Sequence, residues 1–78
     1  MSALSIRPLG ANQTVLTVGN DEIFFSYQTP VAGFSSNDCT YFKTNKKFSR
    51  TTSKHITQYL DGRDAVELDQ DKIESILD

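Results

Sequence analysis

The sequence predicts an α+β domain in which an antiparallel β-meander of three to four strands is followed by two C-terminal α-helices. Residues 14–44 are rich in β-branched and aromatic side chains that alternate along the chain and are interrupted by turn residues. After Ser49 the apolar residues change to the three- and four-residue spacing of a helix. Because strands come first and helices last, we expect both helices to cover one face of the sheet.

The first two strands of the meander form a predicted hairpin. Residues 14–18 favour β-structure, Gly19-Asn20-Asp21 supplies turn chemistry, and Ile23, Phe25 and Tyr27 then alternate with their neighbours. A short additional strand is predicted around residues 4–9.

A proline follows the predicted hairpin. Pro30 has no backbone N–H, so Thr29-Pro30 predicts a bend, a bulge or a strand end before the apolar residues 31–34. Residues 35–38 form the next predicted turn. Residues 40–44 form the third strand, with aromatic side chains on both of its faces.

Two helices follow the strands. Apolar residues at 56, 59 and 60 share one helical face, a Ser or Thr among residues 49–52 caps its start, and Gly62 ends it. The second helix has Asp69 as its N-cap, with Leu68 and Ile73 at the spacing of a hydrophobic staple. Apolar residues 76 and 77 extend its face.

Length and composition predict one small soluble domain, residues 1–78, because so few residues cannot build a second core. An apolar fraction of 37% is too high for a disordered chain, and the apolar residues are too dispersed for a membrane span. The N-terminal residues lack the pattern of an export signal. We therefore expect a cytoplasmic protein with no membrane contact.

The sequence contains no recognisable metal or cofactor motif. One His, one Cys and scattered carboxylates lack the spacing of zinc or EF-hand sites, and the four glycines suit turns and caps. We expect no metal, no cofactor and no intramolecular disulfide.

Cys39 and His55 are the candidates for catalysis, but neither has an accompanying oxyanion motif or a recognisable orienting carboxylate. For His55 three interpretations are open: a buried or half-buried helix residue making one hydrogen bond, a member of an anion site, or a catalytic base. Cys39 is expected to be a small strand residue. An enzyme is the least favoured function.

Charge is unevenly distributed in a chain of net charge −2. Residues 39–55 hold five cations and no acid, whereas residues 56–78 hold two cations and seven acids. If the fold separates these segments, the protein presents one basic and one acidic surface, and each attracts a partner of opposite charge.

The basic segment is the predicted functional site, a surface for phosphate or nucleic acid. Its members are cations and hydroxyls near a helix start, where unpaired N–H groups favour an anion. They are Lys43, Lys46, Lys47, Arg50, Thr51, Thr52, Ser53 and Lys54, with Tyr41 and Phe48 as candidate stacking partners for a base. The alternative is a solvated helix entrance in which Ser and Thr only cap the helix. The missing carboxylates favour the functional interpretation.

Two other features suggest contact with a protein. The acidic residues between 61 and 71 form a solvated connector, a contact for a basic partner or a mimic of nucleic-acid charge. Six of the eight aromatic residues exceed what one face of a three-stranded sheet needs, and they predict either a filled core or an exposed patch at a dimer or partner interface. These six are Phe24, Phe25, Tyr27, Phe34, Phe42 and Phe48.

The middle of the chain resembles small uncharacterised proteins encoded by tailed bacteriophages. Their pattern is SY-x-TPVA followed by Y-x-T-x-KK-[FW]-S-x-TTS-x-HI-x-x-[YW]-L. The matching residues here are Ser26, Tyr27, Thr29 to Ala32, Tyr41, Thr44, Lys46 to Ser49, Thr51 to Ser53, His55, Ile56, Tyr59 and Leu60. The resemblance implies a phage origin and action in the host cytoplasm, and it implies no activity, cofactor or catalytic residue.

These observations predict a small, non-catalytic, phage-like binding protein whose basic segment contacts phosphate or nucleic acid. The alternative is a protein-interaction module or homodimer that modulates a host protein through an aromatic or acidic surface.

Overall fold

The structure is a computed structural model that describes residues 4–76. Its elements are β1 (Leu4–Gly10), β2 (Gln13–Val18), β3 (Asp21–Ser26), β4 (Thr29–Ser35), β5 (Thr40–Thr44), α1 (Arg50–Leu60), β6 (Ala65–Leu68) and α2 (Gln70–Ser75). The predicted α+β class is confirmed, and both helices lie in the C-terminal part of the chain.

All six strands form one sheet in the order β1-β2-β3-β4-β5-β6. The pairs β1–β2, β2–β3, β3–β4 and β4–β5 are antiparallel, whereas β6 pairs in parallel with β5 after the chain crosses over through α1. The prediction of three to four antiparallel strands is therefore wrong in number and, for the last pair, in direction. β6 has only four residues, and its central side chains, Val66 and Glu67, are both exposed, so no apolar alternation marks it.

The hairpin predicted around residues 19–21 is confirmed, with Val18 opposite Asp21. The predicted irregularity at Pro30 is a β-bulge. Phe24 pairs with Ala32 but Phe25 pairs with Pro30, which leaves Val31 as the extra residue. Val31 is fully buried in the main core cluster, so the bulge adds a side chain to the core.

The helices cover opposite faces of the sheet, and the expectation that both cover one face is wrong. On one face, Tyr59 of α1 stacks on Phe24 with ring centroids 4.6 Å apart, and its hydroxyl donates to the Glu22 carboxylate at 3.0 Å. On the other face, Ile76 after α2 borders the same concavities as Phe42. Apolar side chains on both faces of the central strands can therefore be buried. The aromatic residues in excess of what one face needs can pack on the second face.

Both helices begin at predicted N-cap residues, and α1 ends one residue before the predicted position. Ser49 is the N-cap of α1, its hydroxyl accepting the Thr52 N–H at 3.2 Å. Asp61 ends α1 in the left-handed conformation, one residue before the predicted Gly62, which also has a positive φ of 81°. Asp69 precedes α2 as predicted, although its side chain makes no capping bond. The predicted apolar contribution of residue 77 lies outside the described residues.

Candidate functional site

The basic segment surrounds a groove at the end of β5, next to α1. We call it the basic groove, and its volume is about 260 Å³. It is lined by Lys43, Thr44, Asn45, Lys46, Lys47, Ser53, Ile56, Thr57 and Glu67. Three lysines thus border one concave surface whose lining contains a single acidic residue.

Two hydrogen bonds fix the backbone at the start of the loop that carries Lys46 and Lys47. Its Asn45 N–H donates to the Leu68 carbonyl of β6 at 2.9 Å, and the Lys46 N–H donates to the Thr44 hydroxyl at 3.1 Å. The parallel β5–β6 pair therefore fixes where the chain leaves the sheet. Lys46 and Lys47 follow at once with exposed side chains.

Two backbone N–H groups at the start of α1, those of Thr52 and Ser53, are used internally. Ser49 accepts the Thr52 N–H through its hydroxyl and the Ser53 N–H, at 3.0 Å, through its carbonyl. The Thr57 hydroxyl donates to the Ser53 carbonyl at 3.0 Å. Binding of an anion in the groove thus depends on the lysines and the Ser53 hydroxyl rather than on these capped amides.

The predicted site residues divide into three groups. Lys43, Lys46, Lys47 and Ser53 come together in the basic groove. Arg50, Thr51 and Lys54 are exposed on α1 outside its lining, and Thr52 is only 6% exposed.

The predicted stacking residues have other contacts. Tyr41 is half-buried, with the Arg63 guanidinium 5.2 Å from the centre of its ring. Phe48 packs against the main core cluster, and the Lys46 ammonium lies 5.3 Å from its ring centroid. Neither ring lines the basic groove. A base that stacked on the face of Tyr41 contacted by Arg63 would have to displace the Arg63 guanidinium.

The basic and acidic segments meet rather than occupying separate surfaces. The Asn45 side-chain amide donates to the Asp69 carboxylate at 2.9 Å, and Glu67 lines the basic groove itself. The parallel pairing of β5 with β6 causes this, because it brings the acidic segment alongside the strand that leads into the basic one.

A buried polar network links β3 to α1. The Ser26 hydroxyl lies 2.9 Å from His55 Nδ1 and donates to the Thr52 hydroxyl at 3.1 Å, and the Ser49 hydroxyl donates to the same Thr52 oxygen at 3.3 Å. Ser26 is 2% exposed and His55 is 8% exposed. His55 therefore matches the first of its three interpretations, a buried helix residue with one hydrogen bond. The serine is too enclosed for a substrate to reach it in this conformation.

Sequence reasoning did not identify Ser26 as a member of this network, because 29 residues separate it from His55. The available signal was a polar residue directly after the apolar residues 23–25, two positions from Phe24 and therefore on the same face of the strand. Cys39, expected in a strand, instead lies exposed in the turn before β5 with φ of 52°. Its thiol contacts the Ser36 carbonyl at 3.5 Å.

Residues 4–76 contain neither a candidate metal site nor a candidate membrane-spanning helix. No group of three or more His, Cys, Asp and Glu side chains is arranged to hold a metal ion. Within the same part of the chain, no helix is long and apolar enough to cross a membrane.

Comparison with known proteins identifies one family. The model of DUF8033, described as a family of unknown function, matches residues 4–75. No curated protein and no solved structure matches the chain.

Proposed function

Because the chain belongs to the DUF8033 family of unknown function, we propose a function from the geometry of the site: a small, non-catalytic binding protein whose basic groove contacts the phosphate groups of a nucleic acid. The observation that carries this proposal is the convergence of Lys43, Lys46 and Lys47 on one concave surface together with the Ser53 hydroxyl. Ammonium groups and a hydroxyl are the donors that phosphate oxygens accept.

The groove favours contact with the backbone of the nucleic acid rather than with its bases. Its lining contains no aromatic ring, and the faces of Tyr41 and Phe48 are approached by cations of the protein itself. We therefore expect affinity that depends on salt and only weakly on base sequence. The net charge of −2 limits this affinity, so the clustering of lysines is essential.

The resemblance of residues 26–60 to tailed-phage proteins supports a phage origin and action in the cytoplasm of an infected host. In that setting the partner is a nucleic acid of the phage or of the host.

Fluorescence anisotropy with labelled single- and double-stranded oligonucleotides tests the proposal. Three lysine–phosphate contacts predict an affinity that falls about 20- to 40-fold between about 50 and about 200 mM salt. A groove variant, Lys43→Gln with Lys47→Gln, should bind weakly and lose about two thirds of the salt dependence, because two of the three contacts are removed.

The matched control is Arg50→Gln with Lys54→Gln, which removes the same charge from exposed positions outside the groove lining. It should retain most of the affinity. Equal losses in the two variants would show diffuse attraction instead of a groove, and affinity independent of salt would exclude phosphate contacts.

A protein-interaction function is the second candidate, and exposed aliphatic side chains favour it. On the β1–β2 hairpin, Ile6 is 69% exposed, Leu9 44% and Val18 37%. β1 is an edge strand, so it also presents unpaired backbone groups, although Pro8 lacks an N–H. Sedimentation velocity of the wild type and of Ile6→Lys tests self-association. A concentration-dependent dimer that the variant abolishes would support this candidate, and a monomer at all concentrations would exclude a homodimer.

A further inference from the structure

A buried side-chain amide at the start of α2 has an oxygen without a hydrogen-bond donor. Gln70 is 8% exposed, and its Nε2 donates to the Pro30 carbonyl at 2.8 Å and to Glu74 Oε2 at 3.1 Å. These two acceptors fix the orientation of the amide, because the opposite orientation would place its oxygen against them. Among the described residues, Gln70 Oε1 is buried and has no partner. Such an oxygen costs about 1–3 kcal/mol unless a donor reaches it.

Gln70 borders a concavity that we call the acidic pocket, with a volume of about 500 Å³. Its lining comprises Asn45, Lys46, Asp69, Gln70, Asp71 and Glu74. Three of these six residues are carboxylates, and the ammonium of the one cation lies 5.3 Å from the Phe48 ring centroid. The pocket therefore combines negative charge with an acceptor that needs an N–H or O–H donor.

An organic cation suits this pocket better than a metal ion. A metal needs several oxygen ligands at one point, and residues 4–76 contain no such group of carboxylates, His or Cys. A guanidinium carries five N–H donors in a planar fork and so can reach acceptors that are spread around it.

We propose that the acidic pocket binds a guanidinium group, with one N–H donating to Gln70 Oε1 and others to the carboxylates of Glu74 and Asp71. Gln70 Oε1 is closed to solvent in this structure, so binding requires the exposed side chains that border the pocket, those of Lys46 and Glu74, to change rotamer. The acidic pocket and the basic groove share Asn45 and Lys46 in their linings. The guanidinium proposal does not rest on phosphate binding in the groove.

The test is an NMR titration of the whole chain that follows the side-chain carbonyl carbon of Gln70. The probe is N-acetylarginine amide, and the control is tetramethylammonium, which has the same charge but no N–H donor. The arginine probe should shift the Gln70 carbonyl carbon downfield and saturate, because the oxygen gains a hydrogen bond. Tetramethylammonium should leave it unchanged. Equal shifts with both, or none with either, would overturn the proposal.

Charge variants measure the carboxylate contribution. Asp71→Asn with Glu74→Gln keeps the side-chain oxygens, removes two charges and should weaken the arginine probe about tenfold or more. Asp61→Asn with Asp64→Asn makes the same charge change outside the pocket lining and should have little effect. Equal weakening in both variants would show that the probe is attracted by the overall negative charge of the protein and not by the acidic pocket, which would overturn the proposal.

Two further measurements identify the donor and its source. If Lys46→Met alone shifts the Gln70 carbonyl carbon upfield without any ligand, Lys46 is the native donor and the proposal fails. A short neutral peptide with one arginine should bind more tightly than the free probe if the guanidinium belongs to a protein partner. Equal affinity would indicate a free guanidino compound in the same site.

Discussion

Gly33→Ala tests how closely the central strands are packed. Gly33 is buried in β4, where it pairs with Ile23 on one side and Phe42 on the other. A Cβ at this position would collide with the backbone carbonyl oxygen of Glu22 and would lie 2.5 Å from Phe42 Cζ and 3.0 Å from its Cε2. The Phe42 ring can move, but the carbonyl oxygen can move only if strand β3 shifts.

The expected loss of stability is large for a chain of this size. Overpacking in a core costs about 1–3 kcal/mol, and we expect the upper end because one of the colliding atoms is backbone. At about 0.05–0.15 kcal/mol per residue, the whole domain has a free energy of unfolding of about 4–12 kcal/mol. The substitution therefore removes between a quarter and most of the stability.

Urea unfolding monitored by far-UV circular dichroism measures this loss, with Gly10→Ala as the matched control. A Cβ at Gly10 meets only Gln13 Nε2, at 3.5 Å. That substitution should change the unfolding free energy by no more than about 1 kcal/mol and in the stabilising direction, because alanine restricts the unfolded chain. Phe42→Leu should recover part of the loss in the Gly33→Ala background. Equal unfolding midpoints for the two alanine variants would refute the packing described here.

Three further predictions concern the hydrogen bonds and ionisable groups. Ser26→Ala should lower the unfolding free energy by about 1–3 kcal/mol, because it leaves His55 Nδ1 buried without a partner. Burial and a neighbouring carboxylate raise the pKa of Tyr59 far above its ordinary value of 10.0. Its contribution to stability is therefore complete below about pH 10 and falls as the pH rises further, and Tyr59→Phe should remove this alkaline slope in pH-dependent unfolding. Ser49→Ala should cost about 1 kcal/mol in urea unfolding, and Asp69→Ala should cost less because its side chain makes no capping bond.

Features that depend on neighbouring residues were predictable from the sequence. The hairpin at residues 19–21 follows from its turn residues, the irregularity at Pro30 from a missing N–H, and the start of α1 from a Ser placed before an apolar helical pattern. Each of these signals acts within a few residues of the structure it produces.

Pairing between distant segments was not predictable in the same way. β6 is a strand because β5 offers it a hydrogen-bonding edge, not because its four residues alternate. Gly33 suits several local structures, and only the pairing with β3 and β5 makes a side chain there intolerable. In the basic segment, the direction of α1 decides which hydroxyls face solvent, so Thr52 is buried while Ser53 lines the groove.

The sequence by itself determined the α+β class, the turns and caps, and a concentration of cations between residues 43 and 54, because these follow from local chemistry and composition. Tertiary structure alone decided that α2 lies on the face opposite α1, that Ser26 meets His55, and that the acidic segment borders the basic groove. The physical reason is that burial, hydrogen bonding and charge proximity depend on distances between residues far apart in the chain, and the parallel pairing of β6 with β5 sets several of those distances at once.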